Sequence, residues 1–587
     1  MIYIDPPFDT GADFSFTATI PDHPDTPEDD SFSFTKEPSI IEQKAYRDTW
    51  GRGLDSYLHW FYEAVVQLHE LLHETGSIYV HLDSHVSHYA KVILDEVFGL
   101  DNFRNEIVWK RASTVKGNFG QGSKLWSPNT ESLFYYSKGS NYTLEPIFLP
   151  YSDEYIETFY RYKESDGRQY RLISMIGPGG EAKGNPTYEF MGVKRSWRYS
   201  KERMQQLAAE GMIVQTKPGT VPQRKLYLDQ GRGVAVQTLW ADIEALSPSA
   251  SERVGYATQK PEALLDRVLT ASSKAGDLVL DCFCGSGTTP VVAEKLNRRW
   301  IACDLGRFGI HTTRKRLLYV PDVRPFVIQN LGKYERQLWQ TEEFEKRVVA
   351  RAEDEASRQR AYIEFILKLY QAKPIHGYAW LHGLKGGRMI HVGAVDSPVS
   401  AGDVPSIAAE FRRAMGSGKD APTSNGVDVL GWDFAFEMNE VARQQAAAAN
   451  IKLRFLRIPR DVMDKRAVEQ GDIHFFELAA LSVDVKTKKR NVQLSLSDFV
   501  IPPDDVPEEV RRGVKHWSQW IDYWAVDWDN KGDAFHNEWQ TYRTRRDKKL
   551  ALETEYSYAE AGEYTVVVKV IDILGNDTTK SVKLKVK

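Results

Sequence analysis

Hydrophobic and polar positions change period several times along this chain, and the changes mark out its elements. Met1 to Ile4 is a short apolar run stopped by Pro6 and Pro7, since proline lacks the N–H that a strand ladder needs. Residues 12 to 45 are polar, acidic and dotted with Pro21, Pro24, Pro27 and Pro38, which reads as a long loop. From Tyr57, apolar Leu58, Phe61, Val65, Leu68 and Leu72 recur at helical spacing, and Gly76 is expected to end that helix. Ser77 to Leu82 then reads as a strand, and Val92, Ile93, Val97 and Phe98 mark a second helix. This alternation predicts a parallel α/β sheet.

Between about 105 and 245 the rhythm breaks into short alternating pieces with loops, basic residues and aromatics interleaved. It resumes with a helix carrying Leu264, Leu265, Val268 and Leu269, a strand at Leu278–Asp281, a glycine-rich turn, another helix, and a strand from Trp300 to Asp304. These segments outline a first domain over 1–330, followed by a helical linker over 331–373. Strands at Arg388–Val392, Val427–Leu430 and 451–458, with helices at Val404–Met415 and 437–449, predict a second α/β unit over 374–505. That unit lacks a glycine fingerprint and reads as an interaction or scaffold domain. Gly562-Glu563-Tyr564 before an alternating strand, then Asp572 and a Gly575-Asn576 turn, resembles the last hairpin of a PKD/immunoglobulin-like β-sandwich over 513–587.

Composition narrows the setting. A chain of 587 residues is too long for one core. Its three cysteines, Cys282, Cys284 and Cys303, exclude a disulfide framework and fit a reducing, cytoplasmic location. No apolar run approaches the roughly 20 residues of a membrane span, so no membrane partner is expected, and the first residues lack a secretory signal. The formal charge of −5 offers no general attraction to nucleic acid, so DNA contact would need one basic face.

Two stretches carry candidate chemistry. In the first, Asp5, Pro6, Pro7 and Phe8 bring together a carboxylate, freed carbonyls and an aromatic face, a cradle for a flat base with an exocyclic amino group. A proline-capped strand entering a turn is the plainer alternative. In the second, Asp281-Cys282-Phe283-Cys284-Gly285-Ser286-Gly287-Thr288 places glycines between strand and helix, where a ligand can approach the backbone at a positive helix N-terminus. Asp304 follows about twenty residues on, where an acid hydrogen-bonds ribose hydroxyls. No lysine follows these glycines, so a triphosphate loop is disfavoured, and Pro290 stands at the third glycine position of a dinucleotide fingerprint. His69 and His73, and His81, His85 and His88, lack the cysteine or carboxylate company of a metal site, and no metal is expected. Lys110, Arg111, Lys116 and Lys124 form one basic loop, and Arg195, Trp197 and Arg198 lie in a basic–aromatic run from Lys194 to Arg203. Such residues suit phosphate tracking with base contact, and equally a solvated charged surface.

Taken together, these pieces resemble the permuted N4/N6 amino-group DNA methyltransferases, in particular the modification subunits of type III restriction systems and similar adenine methylases. The family's Asp-Pro-Pro-Tyr/Phe motif precedes its glycine motif, as Asp5–Phe8 precedes Asp281–Gly287 here. Asn105-Glu106-Ile107-Val108-Trp109 and Thr258-Gln259-Lys260-Pro261 match as well, and the resemblance covers roughly residues 1 to 320. It implies a Rossmann-like S-adenosylmethionine-dependent sheet with an inserted target-recognition domain. It implies catalysis by Asp5 and the Pro6 carbonyl, stacking by Phe8 on a flipped base, and transfer to adenine N6, with cytosine N4 as the alternative. Asp281, Phe283, Gly285, Gly287, Thr288, Asp304, Lys260 and Pro261 would form the donor site. Double-stranded DNA is the implied substrate, and a restriction or helicase subunit, or a second copy of the chain, the implied partner. The inserted basic–aromatic region argues against a small-molecule or RNA methyltransferase. Relatives carry a segment ahead of the Asp-Pro-Pro motif, whereas this chain starts inside the motif's strand. A late start or a truncated DNA-recognition subunit with weak or absent methylation is therefore a further expectation.

Overall fold

β1 (Ile2–Ile4) runs through the middle of a seven-stranded sheet. The structure, a computed structural model, describes residues 1–8, 16–21, 32–36, 54–111, 124, 126, 128–247, 249–256, 258–345, 355–416, 421–435, 450–471, 473–501, 506, 508–532, 534–544 and 547–587. After β1 come a hairpin of β2 (Phe16–Ile20) and β3 (Phe32–Lys36), then β4 (Ser77–Leu82), β5 (Phe103–Lys110) and β6 (Thr130–Ser137). The sheet order is Leu239–Trp240, β5, β6, β4, β1, Leu278–Asp281, Arg299–Ala302. β1 pairs in parallel on both sides, Ile2 against Ile78 and against Leu280.

Successive side chains on a strand point to opposite faces, and β1 uses both. Ile2 and Ile4 enter a core with Tyr57, Phe61 and Val65 of the helix Leu54–Leu71 and Leu94 of the helix Ser87–Phe98. Tyr3 enters the opposite core with Leu264, Leu265 and Val268 of the helix Glu262–Ser272. Burial on both faces explains why β1 and β4 read as continuous apolar runs.

The structure differs from the sequence pattern in four places. The helix Ser87–Phe98 buries Ala90, Leu94 and Phe98, whereas Val92 is exposed. Gly76 does not end a helix in the left-handed conformation; its N–H reaches His73 O, and a Cβ there would meet Leu72 Cδ1 at 2.6 Å. β5 and β6, expected within the inserted region, pair antiparallel inside the main sheet, so its small hairpins and sheets lie between Ser137 and Leu239. Leu133 and Tyr135 bury one face of β6 and Phe134 and Tyr136 the other, which erases the period that would have marked a strand. Finally, Ala480–Lys488 and Asn491–Val500, expected to finish the second α/β unit, pair with each other, and the latter with Glu553–Ser557, so both belong to the sandwich.

The linker folds as helices Gly332–Glu345 and Glu355–Leu369. They pack on a six-stranded sheet in which Arg388–Val392, Gly426–Gly431 and Lys452–Arg457 are parallel. The helix expected at 437–449 lies outside the described residues. The sandwich's second sheet holds Trp539–Tyr542, Ile521–Asp527, Gly562–Asp572 and Asp577–Val586. Ile20, at the end of β2, is fully buried in the sandwich core, and Gln519 Nε2 donates to Pro21 O at 2.9 Å. Among the described residues no helix is long and apolar enough to cross a membrane.

Candidate active site

Pro6 and Pro7 stop the ladder at the carboxyl end of β1, leaving Asp5 and Phe8 at the mouth of the sheet. Lys260 Nζ donates to Asp5 Oδ2 at 2.7 Å and sits 5.2 Å from the centre of the Phe8 ring. On its other side, at 3.9 Å, is Glu131 Oε2 of β6. That carboxylate also meets His81 Nε2 at 2.7 Å and Arg111 Nη1 at 3.0 Å, and His81 Nδ1 contacts the Tyr3 hydroxyl at 2.8 Å. Burial opposes charge on Glu131, but Lys260, His81 and Arg111 outweigh it and hold the acid well below the usual carboxylate range. Burial likewise opposes charge on Lys260, and Asp5 and Glu131 overcome it and raise the ammonium above the ordinary lysine value. Asp5 Oδ1, in contrast, is buried with no hydrogen-bond partner among the described residues. An acceptor left in that state costs stability unless something else fills it.

The glycine turn forms the other end. Asp281 Oδ1 accepts from Phe283 N at 3.0 Å and Oδ2 from Thr289 Oγ1 at 2.5 Å, and burial pushes this carboxyl up to about 7. Asp304 Oδ2 accepts from Gly285 N at 2.8 Å and Oδ1 from Gly306 N at 2.7 Å, so the acid braces the turn. Gly285 and Gly287 have φ of 49° and 78°, and a Cβ at Gly287 would meet Thr313 Oγ1 at 2.4 Å. Only glycine combines that backbone with that closeness. Thr288 Oγ1 donates to Lys260 O at 3.0 Å and joins the two ends.

One cavity of about 530 Å³ spans both ends. Asp5, Pro6, Pro7, Phe8, Lys260, Asp281, Phe283, Gly285, Thr288 and Asp304 line it, whereas Pro261 and Gly287 do not. Pro261 instead starts the helix Glu262–Ser272, and Gly287 is covered by Thr313. Lys260, read from sequence as a donor contact, directs its ammonium at Asp5. Sequence reasoning missed Trp60, Tyr256, Glu335, Met463 and Asp464 in the lining, and Glu131 behind it. A charged residue two positions before the apolar run Leu133–Tyr136 was the available signal for Glu131.

The basic residues divide. Arg195 and Arg198 are exposed on the inserted region, Arg198 Nε donating to Ile176 O at 3.2 Å. Trp197 is wholly buried with Met175 and Met204, and its Nε1 donates to Tyr188 O at 2.9 Å, so its ring is a core element and not a base-stacking surface. Lys110 is half-buried at the end of β5, Arg111 is half-exposed on Glu131, and Lys116 lies outside the described residues. No cluster of His, Cys, Asp or Glu suited to a metal ion occurs among the described residues.

A family described as DNA methylase matches residues 1–315, the whole of this sheet with both motif ends. The chain belongs to that family. Among its relatives, the type II methyltransferase M.EcaI of Enterobacter cloacae is 29% identical over 320 residues, covering 54% of this chain and 64% of that protein. The type III restriction-modification enzyme StyLTI Mod subunit of Salmonella typhimurium is 27% identical over 329 residues, covering 52% and 48%. This chain thus spans about half to two thirds of the length of these DNA methylase relatives. A crystal structure of an M1.HpyAVI–SAM complex aligns with 48% of this chain and 86% of its own at 16% identity, with a TM-score of 0.24.

Proposed function

We propose that this DNA methylase transfers the methyl group of S-adenosylmethionine to adenine N6 in duplex DNA, as the modification part of a restriction or related defence system. The observation that carries the reading is the buried, unpartnered Asp5 Oδ1 beside Phe8, in one cavity with the Gly285–Gly287 turn. That oxygen and the Pro6 carbonyl are acceptors for the two amino hydrogens of a base, which turns the nitrogen lone pair toward the donor. Lys260 fixes the second oxygen of Asp5 and so its rotation. S-adenosylmethionine would supply an electrophilic methyl on a sulfonium; the N–C bond would form as the C–S bond breaks and S-adenosylhomocysteine leaves, and the amino nitrogen would then lose its proton to solvent. Asp5 favours the positive charge that develops on that nitrogen.

An amino group inside a duplex is out of reach of this cavity, so the base must swing out, and Phe8 offers it a stacking face. Asp304 lines the cavity at the glycine turn, where an acid would accept from ribose hydroxyls, and Asp281 lies where the donor's ammonium would favour its charged form. An acid at the first motif position resembles adenine enzymes, since cytosine-N4 relatives more often carry serine there. StyLTI is a Mod subunit, and a restriction subunit is the corresponding partner proposed here. The test incubates the full chain with tritiated donor and unmethylated duplex DNA, then separates the nucleosides. Label in N6-methyladenine is expected. Label in N4-methylcytosine would move the target to cytosine, and no label from folded protein would overturn the reading.

A further inference from the structure

Residues 1–315 do not build the cavity alone. Glu335, Met463 and Asp464 also line it, the first from the helix Gly332–Glu345 and the others from the turn Arg460–Met463 and its continuation in the second α/β unit. These residues are held in place. Arg460 Nη2 meets Glu335 Oε2 at 2.5 Å. The adjacent Arg336 is buried, donating Nε to Val395 O at 2.9 Å and Nη2 to Asp433 Oδ2 at 2.6 Å. Below the glycine turn, the helix Arg307–Leu318 is fastened to the sandwich: His311 Nε2 and Lys315 Nζ each lie 2.7 Å from Asp522 Oδ2. Gly575 of the last hairpin packs on the backbone of Phe308 so closely that a Cβ would stand 3.3 Å from it. The second half of the chain is therefore fixed against the side of the cavity formed by the glycine turn.

We propose that the second α/β unit is part of the methyl-donor site, with Met463 as an apolar wall and Asp464 as an acid that favours the cationic donor over its uncharged product. The proposal rests on the reading under Proposed function. The ionisable acids of the lining among the described residues are Asp5, Asp281, Asp304, Glu335 and Asp464, with Lys260 as the cation. An acid-rich, partly enclosed cavity attracts a sulfonium, and methyl transfer removes that charge. Donor is then held more tightly than S-adenosylhomocysteine, and product leaves more readily. Asp464 also accepts from Ala467 N at 3.4 Å at the start of the helix Lys465–Gln470. A purely structural role of that kind would weaken both ligands equally.

Calorimetric titration of the full chain with S-adenosylmethionine and with S-adenosylhomocysteine separates these roles. Asp464→Asn is expected to weaken the donor about fivefold and the product less than about twofold. Met463→Ala is expected to weaken both by roughly tenfold through lost apolar contact. Glu335→Gln, on an exposed helix face, repeats the donor-selective loss if Asp464→Asn does not fold. Equal shifts for both ligands in the two acid variants, or no shift in any variant, would overturn the proposal. A wild-type chain that binds neither ligand would instead sink the donor reading, and this proposal with it.

Discussion

Lys260 donates to Asp5 at 2.7 Å across 255 positions of the chain, and the pairing occupies one carboxylate oxygen while leaving the other open. The glycine half of the protein thus sets the orientation of the acid in the opening motif. Replacing Asp5 by Ala is expected to lower methyl transfer by about 10² to 10³, the usual scale for losing one preorganised group at a developing charge. Duplex binding, read by a salt-dependent shift assay, should stay within about threefold of wild type, because the exposed basic residues are elsewhere.

Lys260→Met removes the cation and keeps much of the volume. Asp5 and Glu131 then face each other's charge in a buried setting, with Glu131 left to His81 and Arg111. Breaking a buried pair in this way costs about 3 kcal/mol. Urea unfolding should show a lowered midpoint with an unchanged slope. A variant as stable as wild type would mean that Lys260 serves the ligand more than the fold.

Asp281 gives a pH signature. Its folded value of about 7 lies above its ordinary 3.8 because of burial. The protonated form is the one favoured by folding, so its contribution to stability is full below the ordinary value and is lost as pH rises toward 7. A donor whose ammonium sits beside Asp281 reverses that preference and releases a proton on binding below pH 7. Affinity should climb by up to about tenfold per pH unit to that point and then level off. Titrations at pH 6 in buffers of different ionisation heat check this; zero proton release would place the ammonium elsewhere.

Asp522 fastens the sandwich to the catalytic sheet. Burial opposes its charge, but Lys315 and His311 hold it well below the ordinary carboxylate range, so its stabilisation is present at neutral pH and fades only in strong acid. Asp522→Ala should cost about 3 kcal/mol at pH 7. A melting curve that splits into two transitions would show the sandwich releasing first.

Trp197 and its arginine neighbours should separate cleanly. Trp197→Ala is expected to destabilise the inserted region by about 3 kcal/mol or more, as loss of a large buried ring does. Arg195→Ala and Arg198→Ala should leave stability alone and each reduce the salt slope of DNA binding by about one. Unchanged slopes would mark that run as ordinary surface.

Features whose chemistry is local were legible in the sequence. Pro6 and Pro7 end a strand wherever they stand, and Gly285 and Gly287 are needed for a left-handed turn at a helix start. Asp304 follows at the spacing a βαβ unit imposes. What escaped depends on partners far apart in the chain. Glu131 meets His81, Lys260 and Arg111 only after β4, β5 and β6 have assembled, and nothing near Met463 or Asp464 marks them as cavity walls. Trp197 escaped for another reason: an aromatic between arginines has the same sequence appearance whether its ring turns in or out.

The placement of β1 bears on how the protein assembles. Ile2 pairs with Leu280, and the carbonyl of Pro21 waits for Gln519, 498 positions later. During synthesis the opening strand leaves the ribosome long before either partner exists. β1, β4 to β6 and the helices Leu54–Leu71 and Ser87–Phe98 can collapse early, as a half-sheet whose β1 edge still waits for Leu278–Asp281. Such long-range closure is slow, and it exposes unpaired strand edges while it lasts. Completion of the cavity around Asp5 is thereby a late folding event, and cooled or chaperone-assisted expression should raise the active fraction more than the soluble fraction.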